Sequence, residues 1–149
     1  MSNLNRYTKN RKIAGWALLA ISLGVGLITL YKGEFGDEAD NLVVGALILR
    51  GYALYRDVFS HHFPFAYFWM AGVVAIFGKS LLAARLSILV FQVVALFAAM
   101  RISGRYLLVG LVALFWGVLR PYYFGHAVFY NSFAGAALLV VLVTTLTLL

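Results

Sequence analysis

The fold is decided by residues 81–100, LLAARLSILVFQVVALFAAM, an apolar run of 20 residues with a single charge, Arg85. At about 1.5 Å per helical residue such a run reaches roughly 30 Å, the thickness of the hydrocarbon core of a bilayer. The rest of the chain has the same apolar character, since 64% of the 149 residues are hydrophobic and 11% are charged. No soluble core hides so much apolar surface, so the composition predicts an all-α integral membrane protein and disfavours a soluble enzyme, a disordered tail and a nucleic-acid binder.

Other apolar runs predict about four transmembrane helices. Residues 14–31 form the first crossing, and the basic tail at 1–13 places the N-terminus in the cytoplasm by the positive-inside rule. Residues 81–100 form the second crossing, and a cytoplasmic turn at 101–105 leads to the third at 106–119. An extracytoplasmic loop at 120–131 then precedes the fourth at 132–149. Gly24 and Gly26 in the first run favour close helix packing.

The segment between the first two crossings, residues 32–80, is predicted to be an extracytoplasmic loop with two amphipathic juxtamembrane helices. Residues 37–50 have apolar positions at helical spacing opposite polar ones, and residues 64–77 are apolar and aromatic but short for a crossing. If 64–77 does not span, every basic residue of the tail and of the 101–105 turn lies in the cytoplasm with no acid. The alternative, in which 64–77 spans, moves Arg101 and Arg105 to the outside.

All five acidic residues lie within 24 consecutive positions: Glu34, Asp37, Glu38, Asp40 and Asp57. One interpretation is structural, with Asp37 as an N-cap and the other acids favoured by the helix dipole. The functional interpretation is that a carboxylate at the membrane interface serves as general base for a hydroxyl acceptor. The crossings carry almost no ionisable groups, which disfavours a transporter or channel.

Other polar groups share the predicted extracytoplasmic side. His61 and His62 are either interfacial residues ahead of a Pro-started helix or hydrogen-bond donors to a lipid phosphate. Four basic residues on this side are mostly expected to be interface anchors, with one or two of them as candidate phosphate clamps: Arg50, Arg56, Lys79 and Arg85. Asn131 is a polar loop residue near a helix start. The spacing matches no metal-ligand motif and no Cys is present, so no cofactor is predicted and a divalent cation stays open.

The order of these motifs resembles the N-terminal module of the C-type (GT-C) membrane glycosyltransferases, especially the protein mannosyltransferase and aminoarabinose transferase relatives. The resemblance covers about residues 12–149. Its motifs are Asp37-Glu38-Ala39, the Leu54-Tyr55-Arg56-Asp57 stretch, His61-His62-Phe63-Pro64, and Phe77-Gly78 with Arg85-Leu86.

The resemblance implies inverting sugar transfer from a polyprenyl-phosphate donor to an extracytoplasmic acceptor hydroxyl, in the bacterial cytoplasmic membrane. Asp37 falls on the family's general base and Glu38 on its second acid. His62 replaces a phosphate-contacting Lys, and Asn131 replaces a further Asp. With Asp40, His61 and Arg56, these residues form the expected substrate site. Family members are several times longer, so we expect further helices to complete the donor pocket.

A second hypothesis is that the chain is related to the same enzymes but does not catalyse sugar transfer. In it the chain is a transmembrane subunit that packs against a larger membrane complex through its small-residue helix faces and its apolar end at Leu149. The two hypotheses differ in their partners, which are a polyprenyl-linked sugar in the first and other membrane subunits in the second.

Overall fold

The computed structural model describes residues 2–32, 36–60 and 63–119, together with positions 135, 137, 138, 141 and 145. The described part forms five helices: α1 (Ser2–Thr29), α2 (Gly36–Leu49), α3 (Pro64–Phe77), α4 (Leu81–Ser103) and α5 (Tyr106–Leu119). These ranges contain no β-strand, and their one bridge pair joins Leu54 to Val58. The all-helical class predicted from composition is therefore confirmed for the described residues.

Two of the described helices are long and apolar enough to cross a membrane, over Asn5–Thr29 and Leu81–Ser103. The criterion for a possible crossing is the length of the helix together with its apolar composition. Helices α3 and α5 are also apolar but have 14 residues each. The crossing predicted at 132–149 lies largely outside the described residues.

Three boundaries differ from the sequence prediction. Residues 2–13 were expected to be a tail, but α1 begins at Ser2, because no Gly or Pro interrupts the helix over that stretch. Helix α1 ends at Thr29 rather than at residue 31. Helix α4 continues through residues 101–103 and ends where Gly104 adopts a left-handed φ of 63°, so the predicted turn is shorter.

Helices α1, α4 and α5 pack as a bundle around one apolar cluster. Its buried members come from all three helices: Leu19, Leu96, Ala99, Met100, Val109 and Ala113. The ring of Trp16 lies 5.5 Å from that of Phe97 and 5.8 Å from that of Tyr106. Gly15 faces Gly110, and seven residues later in each helix Ser22 faces Gly117. Helices α1 and α5 therefore run in the same direction.

Small residues allow α1 and α5 to approach closely. A Cβ added to Gly110 would stand 2.7 Å from the carbonyl oxygen of Gly15, and Ser22 Oγ donates to the carbonyl of Ala113 at 2.7 Å. A Cβ at Gly24 meets no described atom within 4 Å, so Gly24 does not contribute to the contact with α5, whereas Gly26 is buried. The closest described contact of an α1 glycine lies at Gly15, nearer the start of the helix.

Helices α2 and α3 form a second layer against the first half of α4. Their shared cluster contains Leu42, Ala66, Met70, Val73, Ala84 and Ile88. Gly45 packs directly on the backbone of Met70 and Ala71, and Trp69 Nε1 donates to Ser87 Oγ at 2.9 Å. The start of α4 is thus the element that joins the two layers, and it fixes the position of α2.

Candidate functional site

The start of α2 is tied to α4 by a buried ion pair between Glu38 and Arg85. The Arg85 guanidinium donates from Nε to Glu38 Oε1 at 2.9 Å and from Nη2 to Oε2 at 2.5 Å. The two side chains are 1% and 3% exposed. A two-point contact of this kind fixes orientation as well as distance. The pair therefore holds the first turn of α2 in one position against α4.

The same guanidinium binds the end of α1. Arg85 Nη1 donates to the carbonyl oxygens of Leu30 at 2.8 Å and Lys32 at 2.6 Å. The last carbonyls of a helix have no partner within the helix, and a cation is favoured there by the helix dipole. Arg85 thus joins three elements, α1, α2 and α4, at one end of the bundle. Arg85 is therefore buried and does not have the interface-anchor role favoured for most of these basic residues.

The carboxylates of the predicted acidic motif differ in environment. Glu38 is fully buried, so it acts as the structural partner of Arg85 and not as a solvent-exposed acid. Asp40 is exposed two residues later in the same helical turn. The backbone of Asp37 belongs to the first turn of α2, while its side chain lies outside the described residues.

Residues 53–58 form a compact turn on the same loop. Arg56 Nε and Nη2 donate to the two carboxylate oxygens of Asp57, each at 2.9 Å, and the backbone N–H of Ala53 donates to Asp57 Oδ2 at 2.8 Å. The Arg56 hydrogen bonds, followed by that from Ala53, hold the pKa of the Asp57 carboxyl below its ordinary value. Tyr55 has a φ of 69°, an uncommon backbone for an aromatic residue and typical of sites under constraint.

Three predicted binding residues, His61, His62 and Asn131, lie outside the described residues. Arg56 is described, and its side chain is 77% exposed beside Asp57. Among the described residues, no three His, Asp or Glu side chains meet in a group that could hold a metal ion. The described part of the candidate site therefore consists of the start of α2 and its Arg85 support. The 53–58 turn comes after the opposite end of that 14-residue helix.

The Glu38–Arg85 link is the main feature that sequence reasoning missed. The two residues are 47 positions apart, so no local pattern connects them. A signal was present, since Arg85 is the one charge in residues 81–100 and an ionisable group in an apolar helix needs a partner.

Comparisons with known proteins do not place the chain in a family. No protein-family model matches it, and neither a curated protein nor a solved structure is significantly similar to it.

Proposed function

We propose that this chain is a membrane module of a glycosyltransferase that transfers a sugar from a polyprenyl-phosphate donor to an acceptor hydroxyl, with Asp37 as general base. The proposal combines the motif order, which resembles the GT-C enzymes, with the geometry at the start of α2. Asp40, Arg56, His61, His62 and Asn131 would contribute to substrate binding.

The observation that supports this proposal most is the Glu38–Arg85 pair. A general base must be held within hydrogen-bond reach of the proton that it removes. The pair fixes the helical turn that contains Asp37 to both α1 and α4. Glu38 then has a positioning role, because its carboxylate is engaged and buried.

Orientation in the membrane follows from the charge distribution. The basic start of α1 and the Arg101–Arg105 turn would face the cytoplasm, and the acidic loop would face outward. Lys12 lies against Tyr106, with its Nζ 5.4 Å from the ring centroid, so the start of α1 and the start of α5 share one end of the bundle. Together with the positive-inside rule, this arrangement supports an outer α2–α3 layer and a cytoplasmic N-terminus.

The test is transfer by the full chain in its native membrane. Membranes are supplied with polyprenyl-phosphate mannose and polyprenyl-phosphate aminoarabinose, and release of polyprenyl phosphate is measured. Asp37→Asn is expected to lower kcat by about 10²–10⁴-fold, because proton transfer to a base contributes that much. Asp40→Asn removes the same charge from the same turn and is expected to raise KM while kcat stays within a few-fold.

Two results would contradict the proposal. The first is an Asp37→Asn variant that retains kcat. The second is a wild-type chain that releases no polyprenyl phosphate from either donor yet co-purifies stoichiometrically with other membrane proteins. That second result would favour the non-catalytic subunit.

A further inference from the structure

A cavity of about 540 Å³ lies between the first part of α1 and the start of α5, at the opposite end of α1 from the Glu38–Arg85 pair. Its volume is within the roughly 300–1,000 Å³ usual for small-ligand sites. We call it the basic pocket, and its lining includes Thr8, Arg11, Lys12, Arg105, Leu107 and Leu108.

Among the residues that the structure describes, no ion pair joins a carboxylate to the cations of the basic pocket. Every acid of the chain lies between positions 34 and 57. Glu38 is bound to Arg85, which also contacts Leu30 at the C-terminal end of α1. Lys12 lies 18 residues before Leu30, which corresponds to about 27 Å along a helix. Lys12 contacts the ring of Tyr106, and Arg11 lies 5.5 Å from the ring centroid of Tyr7. Ring faces attract these cations but leave their charge in place.

The chemistry of the basic pocket fits a phosphate group next to an apolar chain. Arg11, Lys12 and Arg105 supply cationic donors, while the Thr8 hydroxyl on the same wall donates to the Asn5 carbonyl oxygen at 3.0 Å. The first turn of α5 forms part of the wall, where the helix dipole favours an anion. Leu107 and Leu108 make the adjoining surface apolar. A soluble phosphate compound would use the cations but not these leucines.

We propose that the basic pocket binds the phosphate headgroup of an anionic membrane lipid. Basic pockets between transmembrane helices on the cytoplasmic side are suited to such headgroups. The proposal rests on the membrane insertion that the proposed function includes, but it does not require sugar transfer. This site is separate from the acidic loop, at the other end of α1.

The chain offers a matched control for the charges. Arg6, Lys9 and Arg101 lie at the same end of the bundle and are exposed, but they do not line the basic pocket. The pocket variant is Arg11→Gln/Lys12→Gln/Arg105→Gln, and the control is Arg6→Gln/Lys9→Gln/Arg101→Gln. Each removes two arginines and one lysine, so both change the net charge equally.

The experiment measures the Kd of the first bound lipid by native mass spectrometry of the full chain in mild detergent. Phosphatidylglycerol is the probe, phosphatidylcholine is the zwitterionic comparison and inorganic phosphate is the competitor. We expect tighter binding of phosphatidylglycerol than of phosphatidylcholine. The pocket variant should raise the phosphatidylglycerol Kd about tenfold or more, and the control variant about threefold or less.

Several outcomes would overturn the assignment. Equal losses in both triple variants would mean diffuse attraction to the basic end, and no loss in either would mean that the lipid binds elsewhere. Displacement by millimolar inorganic phosphate would assign the pocket to a soluble phosphate compound.

If a triple variant does not fold, Lys12→Gln is compared with Lys9→Gln, and Lys12→Arg should restore affinity. Extraction of the wild-type chain by alkaline carbonate would overturn membrane insertion itself, whereas retention without lipid selectivity would overturn the lipid site alone.

Discussion

Arg85 and Glu38 are both nearly inaccessible, so each depends on the other for compensation of its charge. Removing one partner of a buried pair leaves an uncompensated charge, at a cost of about 3–5 kcal/mol, whereas replacing both with apolar residues is often tolerated. We expect Glu38→Gln and Arg85→Met each to lower stability by about that amount. The double variant Glu38→Leu/Arg85→Met should be more stable than the sum of its single changes predicts. Denaturant unfolding in detergent, analysed as a double-mutant cycle, measures this coupling.

The Arg56–Asp57 pair provides the control for that cycle, because the chemistry is the same but the side chains are 77% and 31% exposed. Exposed pairs contribute little to stability, since water and salt screen them. Arg56→Met and Asp57→Asn should therefore leave the unfolding midpoint nearly unchanged. Additive losses in the Glu38–Arg85 cycle, with no coupling between the two positions, would show that the buried contact does not support the fold.

Asp57 should titrate below the ordinary range of an aspartate, since hydrogen bonds from Arg56 and then from Ala53 favour its ionised form. A carboxyl whose pKa is lowered on folding adds stability above its unfolded pKa, and this is lost as the pH falls through the folded pKa. The turn at 53–58 should thus loosen in acid. Arg56→Gln is expected to raise the pKa of Asp57, as measured by carboxyl NMR titration; an unchanged pKa would assign the shift to the backbone contact.

At the scale of elements, the contact between α1 and α5 depends on glycines that face each other at the same level along the two helices. A Cβ at Gly15 would overlap the backbone of Tyr106, and one at Gly110 would stand 2.7 Å from the Gly15 carbonyl oxygen. Gly15→Ala and Gly110→Ala should each destabilise the bundle by about 1–3 kcal/mol, as overpacking does. Gly24→Ala on the same helix meets no described atom within 4 Å and should be neutral or stabilising. Thermal unfolding of the three variants in detergent tests this, and equal effects at Gly15 and Gly24 would contradict the helix contact.

The helices themselves follow from local sequence, but their contacts do not. Apolar runs, Pro64 at the start of α3 and the glycines at 78 and 104 indicate where helices begin and end. Which glycine contacts another helix depends on how each of the two helices is rotated about its axis and shifted along it. The sequence alone therefore does not distinguish Gly15 from Gly24. The Glu38–Arg85 pair likewise joins residues that only the packing of α2 on α4 brings together. Composition could indicate that Arg85 needs a partner, but not which acid it would be.

At the scale of the whole molecule, the parallel direction of α1 and α5 restricts the topology. Lys12 contacts Tyr106 at one end of the bundle, and Arg85 contacts Leu30 at the other. If α1 and α4 each cross a membrane in this arrangement, they cross in opposite directions, and the α4–α5 turn returns to the side of the N-terminus. A crossing by α3 would instead send α4 in the same direction as α1. The packing therefore favours an α2–α3 layer that stays on one side.

This topology can be measured by cysteine labelling, since the chain has no native cysteine. Single cysteines replace four exposed residues, Lys9, Tyr52, Lys79 and Arg101. With α3 on the outer side, a membrane-impermeant maleimide should label positions 52 and 79 in intact cells, and positions 9 and 101 after permeabilisation. A crossing α3 predicts protection at 79 and labelling at 101. Position 79 is decisive because it follows α3 directly, so its accessibility depends on that helix and on no later segment of the chain.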